Sequence, residues 1–324
     1  MLDGNDRVEL TGTYDSYVLY PTNPKSILKP NGELCATFLG QRVSNKQPVL
    51  IKRFHKYLNE NPAFANRAER EFEALKFCTS QNPELIIHND VKYLVRNFVD
   101  GVDLRELISG KLRKQANQQQ IIKIVIQALK ALKRIHDSGY IHCDIKPNNI
   151  IIKKINGDID LDNPQVEIID FGLIRKPSEP LSSRKEKLPF SLIYSSPEQV
   201  LNLWELISPA TDIYAMGVTL WQLLTGKTPW ESSNPLMRIQ IQLVIPLPAH
   251  RRIPDDIFKV IEQSTVKTRL PKPPRFYNHR ELVEFEKVAV DARFQTAGEM
   301  IEAIERVDLS VFQKPKAFWN IFKG

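Results

Sequence analysis

The sequence predicts an α+β fold in two lobes, a small antiparallel β-sheet lobe with one main helix followed by a larger, mostly helical lobe. Three observations predict it. Short apolar and β-branched runs separated by turn residues crowd the first hundred positions, with helical spacing only over 61–78. Beyond Asp103 helical spacing dominates. At 324 residues the chain is too long for one average domain, and 42% hydrophobic with 26% charged residues suits a sizeable core.

Residues 1–25, punctuated by Pro21 and Pro24, show neither period and are expected to form an N-terminal extension or lead-in strand. The small lobe is expected over 26–96. Ser26 to Leu28 and Leu34 to Leu39 flank Pro30-Asn31-Gly32, and Asn-Gly between apolar runs signals a hairpin because both residues tolerate positive φ. Pro48 to Lys52 reads as a third strand. Asn61 to Cys78 reads as a helix, with Pro62 near its start and Phe64, Ala68, Phe72, Leu75 and Phe77 near helical spacing. Leu85 to His88 and Val91 to Val95 flank the turn Asn89-Asp90 and complete five strands.

The large lobe is expected over 97–308, entered through Asn97 to Gly101. Asp103 suits the cap of a short helix, Leu104 to Ile108, and Gln118 to Ser138 is a long amphipathic helix stopped by Gly139. Thr211 to Leu224 is an apolar helix whose Asp212, in the first turn, could be making only a capping or dipole contact. Asp256 to Gln263 and Thr296 to Val307 are further helices, and the Pro- and Arg-rich Lys267 to Tyr277 is a surface loop. The tail, 309–324, carries Phe318, Trp319 and Phe322 among lysines, suiting either docking on its own lobe or contact with a partner or membrane surface.

Composition narrows the function. No run of about 18 apolar residues occurs, so no transmembrane span is expected. The start, MLDGNDRVEL, lacks the basic and apolar regions of a secretory signal, and Cys35, Cys78 and Cys143 fit neither a disulfide framework nor a zinc pattern. A reducing, cytoplasmic setting follows as the expectation. The net charge of +7 suits anionic ligands, yet no dense Lys/Arg stripe with interleaved aromatics points to nucleic acid.

The stretch Tyr140 to Gly172 carries the chemistry. YIHCDIKPNNIII, an insertion and VEIIDFG place Asp144, Lys146, Asn149 and Asp170 on two loops bounded by β-branched runs. That layout suits a metal-bound phosphate held beside a hydroxyl. Asn149 and Asp170 offer hard oxygens of the kind Mg²⁺ prefers. His142 is expected to be a packed structural residue rather than a base.

His142-Cys143-Asp144-Ile145-Lys146-Pro147-Asn148-Asn149 resembles the catalytic loop of protein kinases, Asp170-Phe171-Gly172 their metal-binding motif, and Ser196-Pro197-Glu198 the end of their activation segment. Leu50-Ile51-Lys52 resembles the strand bearing the ATP-clamping lysine. Nineteen residues on, Arg70-Glu71-Phe72-Glu73-Ala74-Leu75-Lys76 resembles the helix that supplies its glutamate. Asp212 with Gly217, and Arg293-Phe294-Gln295-Thr296-Ala297, match two late landmarks. The resemblance spans roughly residues 26–308 with the landmarks in family order, and its phrasing is similar to eukaryotic-like serine/threonine kinases of bacteria.

The resemblance implies transfer of the γ-phosphate of Mg-ATP to Ser/Thr hydroxyls of proteins, the chain itself included, which a homodimer would allow. Asp144 would accept or orient the hydroxyl proton, Lys146 would stand at the γ-phosphate, and Asn149 and Asp170 would hold Mg²⁺. Lys52 would hold the α- and β-phosphates, oriented by Glu71. Glu69 and Glu73 are rivals, but Glu71 has Leu75 one turn later on the same inner side. Asn97 and Val99 would offer backbone groups to adenine, and Asp103 would reach the ribose unless it caps its helix. Glu198 and Arg293 would form a buried ion pair. Ser191, three residues before Tyr194, sits where serine/threonine kinases keep a hydroxyl.

Four features depart from the family. Its nucleotide-loop glycines fall at Lys29, Asn31 and Leu34, with only Gly32 nearby, so the Asn31-Gly32 turn would have to supply the tip. Cys143 replaces the usual arginine, which disfavours control through Ser178, Ser182 or Ser183 unless Arg175 or Arg184 substitutes. Arg96 takes a usually apolar position, either paired with an acidic neighbour or marking a one-residue offset. An insertion, Lys153 to Gln165, is expected as a surface excursion turning at Asn156-Gly157-Asp158. The missing glycines and Arg96 motivate a pseudokinase, a nucleotide-binding or scaffold module, as the alternative. A small-molecule kinase of the aminoglycoside or choline type is disfavoured by Ser196-Pro197-Glu198, Asp212 and Arg293.

Overall fold

The computed structural model describes residues 7–29, 35–56, 66–177, 192–230 and 234–312. These divide into two compact units, one through Asp100 and one from Gly101 onward.

The first unit contains β1 (Val8–Thr11), β2 (Ser16–Leu19), β3 (Ile27–Lys29), β4 (Cys35–Arg42), β5 (Pro48–Phe54), α1 (Arg67–Cys78), β6 (Glu84–His88) and β7 (Val91–Asn97). Its antiparallel sheet runs β1-β2-β4-β5-β7-β6, with β3 alongside β4. Side chains alternate across a pleat, so Leu10, Tyr17, Leu19, Phe38, Val49, Ile51, Tyr93 and Val95 fill one core face. Leu50, Lys52, Leu94 and Arg96 take the other, with Lys52 opposite Leu94 and Leu50 opposite Arg96. Asn89 and Asp90 join β6 to β7 with φ of +50° and +60°, the left-handed pair that a two-residue hairpin turn requires.

Three expectations change here. Residues 8–19 form two strands of the sheet, the lead-in strand of the two readings rather than the extension, with Leu10 and Leu19 fully buried. Four-residue strands are too short to show a period, and these are fixed from afar. The buried Glu84 carboxylate accepts from the amides of Thr13 and Tyr14 and from the Tyr17 hydroxyl. Second, β7 continues to Asn97 and the Phe98 amide still bonds Pro48 O at 3.3 Å, so the units divide after Asp100 rather than after 96. Third, the inner line of α1 is Ala68, Glu71, Leu75 and Cys78, while Phe77 is 64% exposed. This face keeps the expected Ala68 and Leu75 and adds a carboxylate paired with Lys52, while Phe77 is turned outward. The Asn31-Gly32 turn, Pro62 and Phe64 lie outside the described residues.

The second unit contains β8 (Gly101–Asp103), α2 (Arg105–Ile108), α3 (Gln118–Asp137), β9 (Ile150–Ile155), β10 (Asp158–Ile159), β11 (Val166–Ile168), α4 (Pro197–Val200), α5 (Pro209–Thr225), α6 (Pro235–Val244), α7 (Asp255–Ser264), α8 (His279–Ala292) and α9 (Ala297–Glu305). A capping box between Asn117 and Gln120 starts α3, satisfying amides that have no intrahelical partner. From Ala210 to Thr225 every residue of α5 is buried, and α3, α7 and α9 contact it. Gly217 permits the closest of these approaches, since a Cβ there would fall 2.7 Å from Ser264 Cβ. No described helix is long and apolar enough to cross a membrane.

The insertion after β9 forms a hairpin turning at Asn156 (φ +52°) and Gly157 (φ +94°), both exposed. Its return arm is tied down, with Asp162 accepting from Gln120 Nε2 at 2.9 Å and from Lys123 Nζ at 3.1 Å. The helices α6 and α8 are additions to the sequence expectation. For α8 a start signal exists, the capping box of Asn278 and Glu281, and Leu282 and Val290 then pack with Leu203, Leu206 and Ala210. The aromatic residues of the tail, Phe318, Trp319 and Phe322, lie outside the described residues.

Candidate active site

The loop after α3 is held from below by one carboxylate. Asp212, only 1% exposed, accepts from His142 N and Cys143 N at 2.8 Å each, and its Oδ2 lies 3.0 Å from His136 Nε2. Asp212 is therefore more than a cap: Ser208 and Thr211 form the capping box of α5, leaving Asp212 to satisfy amides of another segment. Cys143 adopts φ +63°, and its carbonyl accepts from Gln199 Nε2 at 2.9 Å. A left-handed conformation costs a non-glycine residue about 1–3 kcal/mol, so it persists only where the surroundings enforce it. Burial, then the charge of Asp212, raise the Cys143 thiol well above its usual range, which keeps it protonated and poorly nucleophilic.

On this support Asp144 is built into a cluster. Its Oδ2 accepts from Lys146 Nζ at 2.6 Å and from Asn149 Nδ2 at 2.9 Å, and the same Asn149 nitrogen also bonds Asp144 O at 2.9 Å. Burial raises the Asp144 carboxyl above the usual range, opposed by the Lys146 cation. His142 is fully buried, with Nδ1 3.3 Å from Asp144 N and Nε2 3.2 Å from Ile169 O, and its ring meets Phe171 edge-on at 5.4 Å. With both nitrogens facing backbone it is the packed residue expected.

Strand pairing brings the second loop alongside. Ile150 of β9 pairs with Ile168 of β11, and Ile169 N bonds Asn149 O at 2.8 Å, so Asn149 and Asp170 emerge at the same end of one ladder. Asp170 itself has φ +65°. The donor set fits Mg²⁺. With its amide nitrogen committed to Asp144, Asn149 has its carbonyl oxygen for a cation, and Asp170 adds a carboxylate. No described cluster of three or more His, Cys, Asp or Glu could hold a metal, and one or two protein oxygens completed by phosphate and water is the usual Mg²⁺ arrangement.

Asp103 is not the N-cap of α2, which is Leu104, but it bonds locally. Its Oδ1 accepts from Arg105 N at 2.9 Å, and its two oxygens take Arg105 Nε and Nη2 at 2.6–3.0 Å, tying the start of α2. Elsewhere in this unit Glu198 and Arg293 form the expected ion pair at 2.8 Å with both side chains 0% exposed. Thr211 Oγ1 bonds Glu198 at 2.9 Å and the Arg293 guanidinium lies 4.9 Å over the Tyr214 ring. Arg175 is buried with its guanidinium 4.9 Å over Trp204. Ser178, Ser182, Ser183, Arg184 and Ser191 lie outside the described residues.

In the first unit Lys52 and Glu71 form a buried ion pair, with side chains 7% and 3% exposed. The rivals are placed elsewhere, Glu69 pairing with Lys92 at 2.7 Å and Glu73 facing solvent. Asn97 ends β7 opposite Val49, and its Oδ1 accepts from Arg42 Nη2 at 2.9 Å. Val99 follows, half-buried. Arg96 is 4% exposed and donates from Nη1 to Asn97 O at 3.3 Å. Gly32 lies outside the described residues. The arrangement supplies a buried, oriented cation in one unit and a carboxylate-amide-cation cluster in the other.

Sequence reasoning missed the reach of Asp212 and the part of Gln199. The one charged residue of α5 was the available signal for Asp212. Gln199 had none.

The family model described as the protein kinase domain matches residues 31–272. The chain therefore belongs to the protein kinase family. Among its relatives, serine/threonine-protein kinase Pkn1 of Myxococcus xanthus is 26% identical over 279 residues, covering 82% of this chain and 39% of that protein. PrkC of Bacillus subtilis is 26% identical over 268 residues, covering 81% and 39%. PknB of Mycolicibacterium smegmatis is 27% identical over 291 residues, covering 85% and 41%. The chain thus spans less than half the length of these relatives, all named as serine/threonine kinases, and the pseudokinase alternative gains no support from them.

Proposed function

We propose that the chain is an ATP-dependent protein kinase that transfers the γ-phosphate of Mg-ATP to Ser/Thr hydroxyls of proteins, including its own. The observation that carries this reading is Asp144 clamped by Lys146 and Asn149 beside the Asp170 loop.

Phosphoryl transfer has a loose transition state, so the chain's task is positioning and charge neutralisation. Asp144, fixed through Oδ2, orients the acceptor hydroxyl and takes its proton as the new O–P bond forms and the O–P bond to the departing ADP breaks. Lys146, already on Asp144, offsets charge at the γ-phosphate. Asn149 and Asp170 would hold Mg²⁺, which when bound neutralises the phosphate oxygens. Lys52, aimed by Glu71, holds the α- and β-phosphates, while backbone groups of Asn97 and Val99, with Gly32 in the nucleotide loop, receive the rest of the nucleotide. Asp103 stays with Arg105 rather than the ribose in this reading. A cytoplasmic setting and a homodimer for autophosphorylation complete it.

The test is ³²P transfer from ATP to a generic basic protein and to the chain itself, with Asp144→Asn as control. Loss of a positioned base should lower the rate by about 10²- to 10⁴-fold. Equal incorporation by both proteins would sink the proposal.

A further inference from the structure

Arg96 takes a position on β7 where the strand leaves the sheet. Tyr93 and Val95 point into the core, so Leu94 and Arg96 share the opposite face with Leu50 and Lys52. On that face an arginine is 4% exposed, in a row otherwise expected to be apolar beside the lysine. It is the residue immediately before Asn97 and three before Val99, which the kinase reading assigns to the nucleotide base. Its Nη1 already donates to Asn97 O at 3.3 Å.

The chemistry of that contact bears on the base. Guanidinium is always ionised and offers five N–H donors and no acceptor. The carbonyl that would accept from a purine 6-amino group is therefore already receiving a hydrogen bond from a cation. An amino group at C6 brings a donor towards donors. An oxygen at C6 brings an acceptor whose dipole favours the cation, and hydrogen bonds to charged groups are stronger than neutral ones. A site that presents the complementary polar group discriminates between such analogues more sharply than an apolar pocket does.

We infer that Arg96 sets which purine the site takes, admitting 6-oxopurine nucleoside triphosphates as phosphate donors alongside ATP and at the expense of adenine affinity. The inference rests on the kinase reading and names the donor class for the same site. Arg96 is a specificity residue here and takes no part in the transfer itself.

The test is equilibrium binding to the full chain of the imido analogues of ATP, GTP and ITP with Mg²⁺, for the wild type and for Arg96→Met, alongside ³²P transfer from ATP. The 6-oxo to 6-amino affinity ratio should fall about 10- to 100-fold in the variant, as expected for one charge-assisted hydrogen bond. In the wild type alone, the ITP analogue should bind within about threefold of the ATP analogue, because they differ chiefly at C6; this arm stands even if the variant fails to fold. A wild type that prefers the ATP analogue more than about tenfold over the ITP analogue overturns the inference, as does a ratio unchanged in Arg96→Met. Either result, with ³²P transfer intact, leaves the kinase reading standing. Binding of 6-oxopurine analogues without any transfer supports the specificity and overturns the kinase reading.

Discussion

At the scale of residues, the charge on Asp144 is set by two opposed effects. Burial raises its carboxyl above the ordinary value of 3.8, and Lys146 at 2.6 Å pulls it back. In the proposed function Asp144 acts as a base in its ionised form, so on that proposal activity should fall on the acid side at higher pH than for an exposed aspartate. Removing Lys146 removes the restraint. Lys146→Met should therefore move the acid limb of kcat/KM upward by about one pH unit, the scale expected for loss of a contact cation in a partly buried site, besides lowering the plateau. A pH profile measured with the nucleotide saturating checks it. A limb that stays in place while the plateau drops would mean that Lys146 acts on the phosphate alone.

At the scale of elements, helices that look independent in sequence meet through charge. On α8, Glu286 is 2% exposed, and burial with the nearby Glu198 pushes its carboxyl up to about 7, against the pull of Arg293 and Lys267. Lys267 donates to the carbonyls of Gln242 and Ile245 at the end of α6 and lies 3.8 Å over the Trp230 ring, and burial lowers it to about 7. The folded state holds the Glu286 proton more tightly than the unfolded chain, whose ordinary value is 4.5. Its contribution to stability is therefore complete below that value and is lost as pH rises to about 7. For Lys267, folded below its ordinary 10.5, stability instead recovers as pH rises above about 7. Glu286→Gln cannot ionise, so its unfolding free energy from urea titration, relative to wild type, should gain between pH 5 and pH 8, by about 3 kcal/mol at most from the size of the shift. Parallel pH curves for the two proteins would contradict this. None of it was legible in sequence, where 267–277 read as a loop and α8 went unseen. Periodicity reports which face is buried but not that a buried face carries a carboxylate. The catalytic loop was legible because its residues are contiguous and their roles local. The contacts of Asp212 were not legible because its partners lie about 70 positions away.

At the scale of the whole molecule, the extent of the fold and the extent of the family match differ. The match begins at residue 31, whereas the sheet of the first unit begins at Val8. The strands β1 and β2 are integral to that unit by burial, since Leu10, Tyr17 and Leu19 are 0%, 1% and 0% exposed. Fully burying a leucine is worth about 1.5–3 kcal/mol, so the two leucines alone contribute about 3–6 kcal/mol against a typical domain stability of about 5–15 kcal/mol. Glu84 adds a second term. It is 4% exposed and its carboxylate takes donors from Thr13, Tyr14 and Tyr17. Without them the carboxyl group of β6 would lose these three donors, at a cost of about 1–3 kcal/mol or more. Deleting residues 1–25 should thus lower Tm by at least about 10 °C, or leave the first unit unfolded, even though every kinase motif is retained. Glu84→Gln in the otherwise complete chain should produce a smaller loss of the same sign, because the one amide oxygen serves either the Thr13 amide or the Tyr14 amide with the Tyr17 hydroxyl, and the amide nitrogen faces the remaining donor. Differential scanning calorimetry of the three proteins decides it: a deletion variant that melts with the full chain would show that β1 and β2 cover the sheet without supporting it.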